Sequence, residues 1–434
     1  MASSNLSQGQ VITYAQDEVI NVFEQLMTFT DASQVYTPDA GSMQRSSEQY
    51  WKPVQQAVET IDGWDIEGQE TGLLELSIGG SLDEPNNVYK KLRADDLRDE
   101  TSLRRQMRAA AMGLGATMEQ RGLAKAATHG ALCIPSSQAY GPGNLQKPVW
   151  DAIAEAESRM FSAEMDVTRG SCAFLNSNTY RAGGKFLVES SANFGNSVPE
   201  DAYMKGEIQK QIAGIGDVYR HNKTPRIAGQ SASVTVAGGT VSILPEANEL
   251  LANGSKGNVD NRFGVISVDS ATGLNIGDKF EFDGVKAVTL GSAKKVLDYN
   301  QTFTIAAISG NDLTISPRPM AVQDPLMVGK KAPYANIDTQ IQSGEALVFL
   351  NTTTTDTNII MAKDSMVIAS QPIPYSHEMF QGLDAEEFSV GPINGMIGFE
   401  SSLGKLTGMY RMAIWYDWQV EKPEACGIII PSQA

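Results

Sequence analysis

The sequence predicts an α+β protein in which an all-β domain interrupts a mixed framework of helices and strands. A long helical stripe of apolar residues occupies 92–129, whereas 222–347 shows short alternating strands with almost no helical periodicity. The segment 222–347 has eleven basic and twelve acidic residues, although the whole chain of 434 residues has a net charge of −17. A near-neutral β segment of about 125 residues within an acidic chain is typical of an inserted domain.

The composition is that of a globular protein and excludes several classes of function. Hydrophobic residues make up 41% and charged residues 20% of the chain, so a disordered tail is excluded. The acidic balance disfavours general binding to nucleic acids. Three distant cysteines predict neither a disulfide framework nor a zinc site, and the N-terminus has no pattern of a signal peptide. No apolar run is long enough to predict a membrane span.

The N-terminal part is predicted to contain a short helix followed by a long hairpin. Residues 11–27 place apolar side chains at helical spacing and acidic residues on other faces, which predicts an amphipathic helix. Residues 50–82 are interpreted as two extended arms around a polar tip, because Asp-Gly and Glu-Gly pairs are turn signals. Trp64 at this tip either anchors a partner or covers the turn, and we favour the anchor.

The stretch 92–129 is predicted to be one long helix with a charged beginning. The acidic side chains come first and the arginines follow, an order that complements the helix macrodipole and allows a pair between Glu100 and Arg104. Three glycines weaken the helix and predict a bend. The buried stripe is expected to contain Leu103, Met107, Ala110 or Ala111, Leu114 and Met118.

The remaining elements are a second helix and many short strands. Residues 145–169 have an apolar face that predicts a helix. Within 222–347, the pair Asp283-Gly284 predicts a two-residue hairpin, and 244–261 is expected to be a long loop without structure of its own. Further strands are predicted up to the C-terminus.

A search for chemical sites predicts no catalytic, cofactor-binding or metal-binding residues. The three histidines form no metal-ligand pattern with each other or with cysteines. The segment 398–406 departs from a phosphate-binding loop in its glycine spacing and in Leu406, where magnesium binding requires Ser or Thr. Adjacent Asp95 and Asp96 point about 100° apart on a helix near arginines, which favours ion pairs over acid–base catalysis. The overlong helix and the projecting arm instead favour a subunit that completes its core with neighbouring subunits.

Several stretches identify a family, among them "LRADDLRDET", "FLNSNTYRAGG", "VDNRFG" and "RMAIWY". From about Gly9 to Pro431 the chain resembles the major capsid (coat) proteins of short-tailed phages of enterobacteria. This resemblance implies the tailed-phage capsid fold, which encapsulins share, with axial and peripheral domains and an inserted β-barrel. The implied parts are an N-terminal arm (1–38), an extended hairpin loop (39–88), a spine helix of the peripheral domain (89–130, completed by about 406–434), an axial domain (131–221 and 348–405) and the inserted β-barrel (222–347).

The resemblance also implies a function and partners. The expected function is self-assembly, with a scaffolding protein, into an icosahedral procapsid and then a head shell of pentamers and hexamers. The expected partners are other copies of the chain, the scaffolding protein and a portal protein, with enclosed DNA not specifically bound and no membrane. Assembly is expected in the bacterial host cytoplasm, and the final location is the virion. Two alternatives are an encapsulin-like compartment that loads an enzyme and, with less support, a phage tail or decoration protein.

The sequence also provides hypotheses for the residues that make assembly contacts. The charge block at 93–108 is expected to fix the register between subunits, and the loop 244–261 is expected to reach an adjacent capsomer. An acidic face on the N-terminal helix is expected to bind a basic helix of a scaffolding protein. The expected intersubunit residues are Trp64, Arg93, Asp95, Asp96, Arg98, Asp99, Glu100, Arg104, Arg105, Glu246, Glu249, Lys256 and Asp260, and the expected scaffold-binding residues are Asp17, Glu18 and Glu24.

Overall fold

A computed structural model provides the structure of the chain. It describes residues 8–38, 49–54, 67, 74, 76–93, 100–138, 147–165, 170–183, 214–246, 249–250, 256–291, 293–373, 384–391, 393–402 and 407–433. The helices are α1 (Gln8–Leu26), α2 (Thr28–Asp31), α3 (Glu100–His129) and α4 (Lys147–Ser162), with 3₁₀ turns at Gly329–Tyr334 and Pro423–Ala425.

The strands are short for the most part and are numbered along the chain. They are β1 (Gln34–Tyr36), β2 (Gln49–Pro53), β3 (Ser77–Ser81), β4 (Asn86–Arg93), β5 (Leu132–Pro135), β6 (Ser171–Leu175), β7 (Asp217–Arg220), β8 (Arg226–Ile227), β9 (Glu249–Leu250), β10 (Lys256–Gly257), β11 (Gly264–Ser267), β12 (Lys279–Val288), β13 (Val296–Ser309), β14 (Asp312–Ser316), β15 (Leu347–Phe349), β16 (Thr355–Asp356), β17 (Asn358–Ala362), β18 (Met366–Ser370), β19 (Asp384–Val390), β20 (Ile393–Ser402), β21 (Thr407–Ile414), β22 (Tyr416–Val420) and β23 (Cys426–Ile430).

The chain forms two compact units, each assembled from three separate segments. The first unit comprises Met1–Trp51, Gly80–Gly122 and Val367–Gln419, and the second comprises Lys52–Gly79, Leu123–Met366 and Val420–Ala434. None of the helices in the described ranges combines the length and the apolar character that crossing a bilayer requires.

The first unit is built around two sheets and the N-terminal part of α3. One sheet has the order β1-β18-β22, with β1 parallel to β18, and the other is antiparallel with the order β19-β20-β21-β4. The apolar stripe predicted for α3 is buried, which confirms its helical spacing, and the predicted N-terminal helix is α1. The buried members of the stripe are Leu103, Met107, Ala110, Ala111, Leu114 and Met118.

The predicted start of the long helix at residue 92 is wrong. Leu92 and Arg93 end strand β4, which pairs with β21 over its full length from Asn86↔Ile414 to Arg93↔Thr407. The strand forms because this ladder satisfies the backbone groups of residues 86–93, and tertiary pairing overrides local helix propensity. The helix begins at Glu100, and of the four predicted N-terminal acids Glu100 alone lies in its first turn, whereas Asp95, Asp96 and Asp99 lie outside the described residues.

The second unit contains a five-stranded sheet of order β5-β23-β17-β6-β7 with α4 packed against it. The helix predicted at 145–169 is confirmed over Lys147–Ser162 by α4, whose apolar face lies in the core of this sheet, but its predicted end is wrong because residues 163–165 are not helical. Val149, Ile153, Ala156 and Met160 of that face are all buried. The predicted peripheral segment 406–434 contributes to different sheets, because β21 pairs with β4 whereas β23 pairs with β17. The domain boundaries named above remain a prediction.

The second unit also contains a β-barrel. Its strands follow the order β11-β14-β13-β12-β15, so β11 and β15 are the edges of the sheet. Residues 235–236 close it, because Thr235 bridges Ala346 next to β15 and Val236 bridges Val268 next to β11. Phenylalanine rings fill the interior, with ring centroids of Phe280 and Phe303 5.8 Å apart.

The predicted two-residue hairpin at Asp283-Gly284 is wrong. Strand β12 continues through both residues, and its pairing with β13 shifts between Glu281↔Thr302 and Lys286↔Asn300. The extra residues form an irregular bulge, which Gly284 permits because its φ is +83°. A tight turn and a bulge require the same left-handed residue, so the Asp-Gly signal alone does not distinguish them.

The predicted long loop at 244–261 does have some structure of its own. Lys256 pairs with Leu250 and Gly257 with Glu249, so β9 and β10 form a short antiparallel ladder within it. Residues 247–248 and 251–255 lie outside the described part. The two connections of the barrel to the rest of the unit also run side by side, since β8 pairs antiparallel with β16.

Candidate assembly site

Of the charge block at 93–108, which was predicted to set the register between subunits, the structure describes Arg93 and residues 100–108. Arg93 terminates β4, and its backbone alone is described. Glu100, Arg104 and Arg105 occupy the first two turns of α3. Five of the predicted intersubunit residues lie outside the described residues, namely Trp64, Asp95, Asp96, Arg98 and Asp99.

Arg104 joins the beginning of α3 to the N-terminal helix. Its Nε donates a hydrogen bond to Glu100 Oε1 over 3.0 Å, which is the predicted pair one turn apart. Its Nη1 lies 3.7 Å from Glu18 Oε1, and its guanidinium carbon lies 4.2 Å from the centroid of the Tyr14 ring. Arg104 and Glu18, predicted to bind different partners, therefore contact each other within the chain.

The acidic face predicted on α1 is divided between solvent and the chain itself. Asp17 is exposed, whereas Glu18 is half-buried beside Arg104, and only the backbone of Glu24 is described. The neighbouring Gln16 donates from Nε2 to Glu386 Oε2 on β19 over 3.0 Å. Of the described predicted scaffold-binding side chains, Asp17 is the one that faces solvent.

A buried carboxylate, Glu119 of α3, attaches helix α2 of the N-terminal part to α3. Its oxygens accept hydrogen bonds from the backbone N–H of Phe29 (2.9 Å), the N–H of Thr30 (3.1 Å) and the Thr30 hydroxyl (2.7 Å). Two of these donors are amides in the first turn of α2, where no intrahelical acceptor is available. The side chain of a residue 89 positions away thus caps a helix of the arm.

Burial determines the ionisation of this carboxylate. Glu119 is 2% exposed, and the loss of water raises its pKa from 4.5 to about 7, although its hydrogen bonds with Thr30 and Phe29 act in the opposite direction. The nearby Asp31 raises the pKa further, and burial also raises the pKa of Asp31. The attachment of α2 to α3 therefore titrates near neutral pH.

Close packing around Gly122 completes this attachment. The ring of Phe29 lies 5.2 Å from that of Trp418, and the indole of Trp418 donates to the backbone oxygen of Met118 over 3.1 Å. A Cβ added at Gly122 would lie 2.7 Å from Phe29 and 2.8 Å from Trp418. The sequence indicated Gly122 only as a weak point of the helix. Its missing side chain permits the arm to approach α3 closely.

The spacing of the apolar residues around Glu119 is a signal for its burial that the sequence contains. Leu123 and Ala126 follow it at i+4 and i+7, and both are fully buried, so Glu119 stands on a buried stripe of the helix. A carboxylate on such a stripe requires partners, but its partners come from residues far away in the sequence.

The described parts of the predicted intercapsomer loop are fastened at its base. Glu246 forms an ion pair with Arg318, and its backbone exchanges two hydrogen bonds of 2.9 Å with the Asn261 side chain. Asp260 Oδ2 lies 2.6 Å from Arg262 Nη2 and accepts from the N–H of Gly79 over 3.1 Å. The backbones of Glu249 and Lys256 form the ladder between β9 and β10, and their side chains are not described.

A buried lysine connects the barrel to the end of α3, and sequence reasoning missed it. Lys279 of β12 is fully buried, and its Nζ donates to the backbone oxygens of Thr128 and Gly130 and to Thr304 Oγ1. Burial lowers its pKa from 10.5 to about 8. The ammonium group supplies donors to carbonyl groups that the helix leaves unpaired at its C-terminus.

The cysteines of the chain are buried and are poor candidates for a reactive site. Cys133, Cys172 and Cys426 are buried, and burial raises the pKa of each thiol, to about 12 for Cys133 and Cys426. Protonated, buried thiols are poor nucleophiles and poor metal ligands. Within the described ranges, no three or more His, Cys, Asp or Glu side chains come together as a group able to hold a metal ion.

Comparisons with known proteins found one family model and several solved structures. The model of the family described as P22 coat protein, gene protein 5, matches residues 1–431. The capsid of the cyanophage P-SCSP1u is 12% identical with a TM-score of 0.47, over 94% of this chain and 88% of that chain. The mature capsid of bacteriophage PhiM1 is 9% identical with a TM-score of 0.44, over 93% and 86%. The I-domain of the CUS-3 coat protein is 36% identical with a TM-score of 0.23, over 28% of this chain and 99% of that chain.

Proposed function

Because this chain belongs to the P22 coat protein family and is a major capsid protein that forms an icosahedral shell, we propose that a separate scaffolding protein guides its assembly. The chain has the tailed-phage capsid fold, and both its family and its fold are those of a structural protein of the virion. The family match over residues 1–431 is the observation on which the assignment as a major capsid protein rests. We propose that the first product is a procapsid, which becomes the mature head.

The N-terminal arm is the part of the chain that we assign to the scaffolding protein. Asp17 is exposed on α1, whereas its neighbours Gln16 and Glu18 contact Glu386 and Arg104 of the same chain. An exposed carboxylate on a helix that is held in place by its other face supports docking of a basic helix. Glu18 contributes less directly, because its charge is shared with Arg104.

The charge block and the barrel loop are assigned to contacts between subunits. Arg105 is exposed beside Arg104, and the ladder of β9 and β10 rests on a base that Glu246 and Asp260 fasten within the chain. A fastened base holds the outer part of a loop at a defined position, which reduces the entropy lost on binding. We assign the outer part of this loop to an adjacent capsomer.

The remaining partners follow from the proposed assembly route. A portal protein would occupy one vertex, the enclosed DNA would not be bound specifically, and assembly would take place in the cytoplasm of the host. The net charge of −17 supports the absence of tight DNA binding, since a surface of this sign repels phosphate.

Electron microscopy of the purified full-length chain, with and without a co-expressed scaffolding protein, tests the proposal. We expect closed shells of uniform size with the scaffolding protein and aberrant or fewer particles without it. Identical shells from both preparations would contradict a guiding role of the scaffolding protein. Particles that contain an enzyme and no DNA in infected cells would contradict the assembly route.

A substitution on the N-terminal helix tests the assignment of the arm. Asp17→Ser should reduce co-purification of the scaffolding protein, most clearly at low salt, where attraction between exposed charges is least screened. Gln25→Ser is the matched control, because Gln25 is exposed on the same helix and uncharged, so its replacement should leave the amount of bound scaffolding protein unchanged. Equal binding by the wild type and both variants at low salt would contradict the assignment.

A further inference from the structure

A turn of the inserted barrel presents aliphatic side chains to solvent. In the segment 322–331, which we call the aliphatic turn, Val322 is 40% exposed, Leu326 is 59% exposed and Val328 is 66% exposed. Three large aliphatic side chains exposed within seven residues are unusual on a soluble surface, because contact of each with water is energetically unfavourable. Such surfaces mark sites of interaction with other proteins.

Hydrogen bonds to Asp324 and the buried side chain of Met327 fix the backbone of the aliphatic turn. Buried Asp324 accepts hydrogen bonds from the N–H of Leu326 (2.9 Å) and from Gln340 Nε2 (2.8 Å), and its backbone oxygen accepts from the N–H of Met327 (2.9 Å). The side chain of Met327 is buried in a small cluster with Met320 and Ala335. The exposed side chains therefore project from a fixed backbone, and little conformational entropy remains to be lost when a partner covers them.

The charges beside the turn indicate the kind of partner. Lys330 is exposed shortly after Val328, and Lys331 follows it. A complementary surface is therefore apolar at its centre and acidic at its rim. This chain has 51 acidic and 34 basic residues, and it assembles into a shell of its own copies, so a second copy meets the requirement.

We propose that the aliphatic turn is a contact between copies of this chain, in which Val322, Leu326 and Val328 pack against an acidic-rimmed apolar surface of a neighbouring subunit. The proposal rests on self-assembly of the chain and does not require the scaffolding protein. It concerns a different part of the barrel from the loop at 244–261.

Thiol labelling tests the proposal, because the three native cysteines are buried. Leu326→Cys should react readily with a maleimide in the free, folded chain and at least tenfold more slowly in purified shells that contain this chain alone. Val265→Cys is the matched control, since Val265 of β11 is 58% exposed in the same unit and lies outside the turn. Its labelling should fall by less than that of Leu326→Cys on assembly.

Three outcomes would overturn the proposal. The first is equal labelling of Leu326→Cys in free chains and in shells. The second is protection that disappears when scaffolding or other bound proteins are removed, which would assign the turn to one of those proteins. The third is equal protection of Leu326→Cys and Val265→Cys, which would indicate a general loss of access. If the wild-type chain forms no shells even with a co-expressed scaffolding protein, the proposed function fails instead of this inference.

A second variant tests the energetic role of the turn. Leu326→Asp combined with Val328→Asp should lower the yield of shells at least tenfold, because the new carboxylates would face an acidic rim. The thermal unfolding of the free chain should not change, since both side chains are exposed. A normal yield of shells from this variant would contradict the proposal.

Discussion

The inserted barrel and the attachment of the N-terminal arm to α3 are stabilised in different ways. The barrel has a continuous apolar core, in which Phe280, Phe282 and Phe303 are fully buried and their rings lie within 5.8 Å of one another. The contact between α2 and α3 depends instead on one buried carboxylate, Glu119, and one close approach at Gly122, while α1 adds buried apolar side chains such as Val19 and Phe23. A core distributes its stability over many side chains, whereas such an attachment depends on a few.

This difference has a consequence for assembly. A part that carries contacts to other subunits without changing its own shape benefits from a self-contained core. A segment that changes its position benefits from having few contacts that can break together. Polar groups whose pKa lies near the ambient pH can provide such contacts, because a change of protonation weakens them. The following predictions test the contrast, from the largest expected effect to the smallest.

The largest effect is expected in the core of the barrel. In an isolated fragment of residues 222–356, which includes β15 and β16, Phe303→Ala should lower the free energy of unfolding by about 3–5 kcal/mol, because it leaves a cavity. Urea denaturation followed by circular dichroism measures this change. Val265→Ala, at an exposed position, should change it by less than about 0.5 kcal/mol. A fragment that does not fold, or equal effects of the two substitutions, would contradict a self-contained barrel.

The second effect is a dependence on pH at Glu119. Its folded-state pKa of about 7 lies above the ordinary value of 4.5, so protonation favours the folded state. The resulting stability is fully present below pH 4.5 and is lost as the pH rises through 7, by up to roughly 3 kcal/mol. Glu119→Gln should remove this dependence. Urea denaturation of both proteins between pH 5 and 8 measures the difference, and parallel pH profiles would refute the prediction.

The third effect compares two glycines of the same helix. Gly122→Ala should lower the free energy of unfolding by about 1–3 kcal/mol, because the new methyl group would collide with Phe29 and Trp418. Gly113→Ala should instead raise it by about 0.5–1 kcal/mol, since nothing lies within 4 Å of an added Cβ. Thermal unfolding of the full chain distinguishes them, and a neutral or stabilising effect of Gly122→Ala would show that the arm does not pack closely on α3.

The smallest effect on the free chain is expected at Arg104 and Arg105. Arg104→Ala with Arg105→Ala removes pairs that solvent screens, so the melting temperature should hardly change. The yield of shells should fall more clearly if the charge block contributes to subunit register. Electron microscopy measures the yield and calorimetry measures the melting temperature. Normal shells from a chain that melts early would assign these arginines to the fold alone.

Local patterns in the sequence predicted the elements that depend on local spacing. The buried stripe of α3 and the apolar face of α4 were found in this way, and alternating residues indicated that 222–347 is β-structure, although they did not give each strand correctly. The start of α3 was wrong because β4 exists only through its ladder with β21, which is more than 300 residues away in sequence. The Asp283-Gly284 hairpin was wrong because a bulge uses the same residue type as a turn.

The decisive polar contacts could not be predicted for a related reason. Glu119 is bonded to residues 89 and 90 positions away, and Lys279 donates to Thr128 at a separation of 151. A single charged residue on an apolar stripe indicates that a partner exists, but its identity depends on the completed fold. Surface pairs such as Glu100 with Arg104 are visible in the sequence because both members lie on one turn of one helix.

The antiparallel pair of β8 and β16 determines how much entropy the rest of the chain loses by accommodating the barrel. Thr355 pairs with Ile227 and Asp356 with Arg226, so the polypeptide leaves and re-enters its host at almost the same place. The entropy of closing a flexible loop rises only by about 0.6 kcal/mol for each doubling of its length. Here the folded barrel itself holds the two ends together. For the host fold, the whole insertion is therefore equivalent to one short turn, and its size can vary without disturbing the strands on either side.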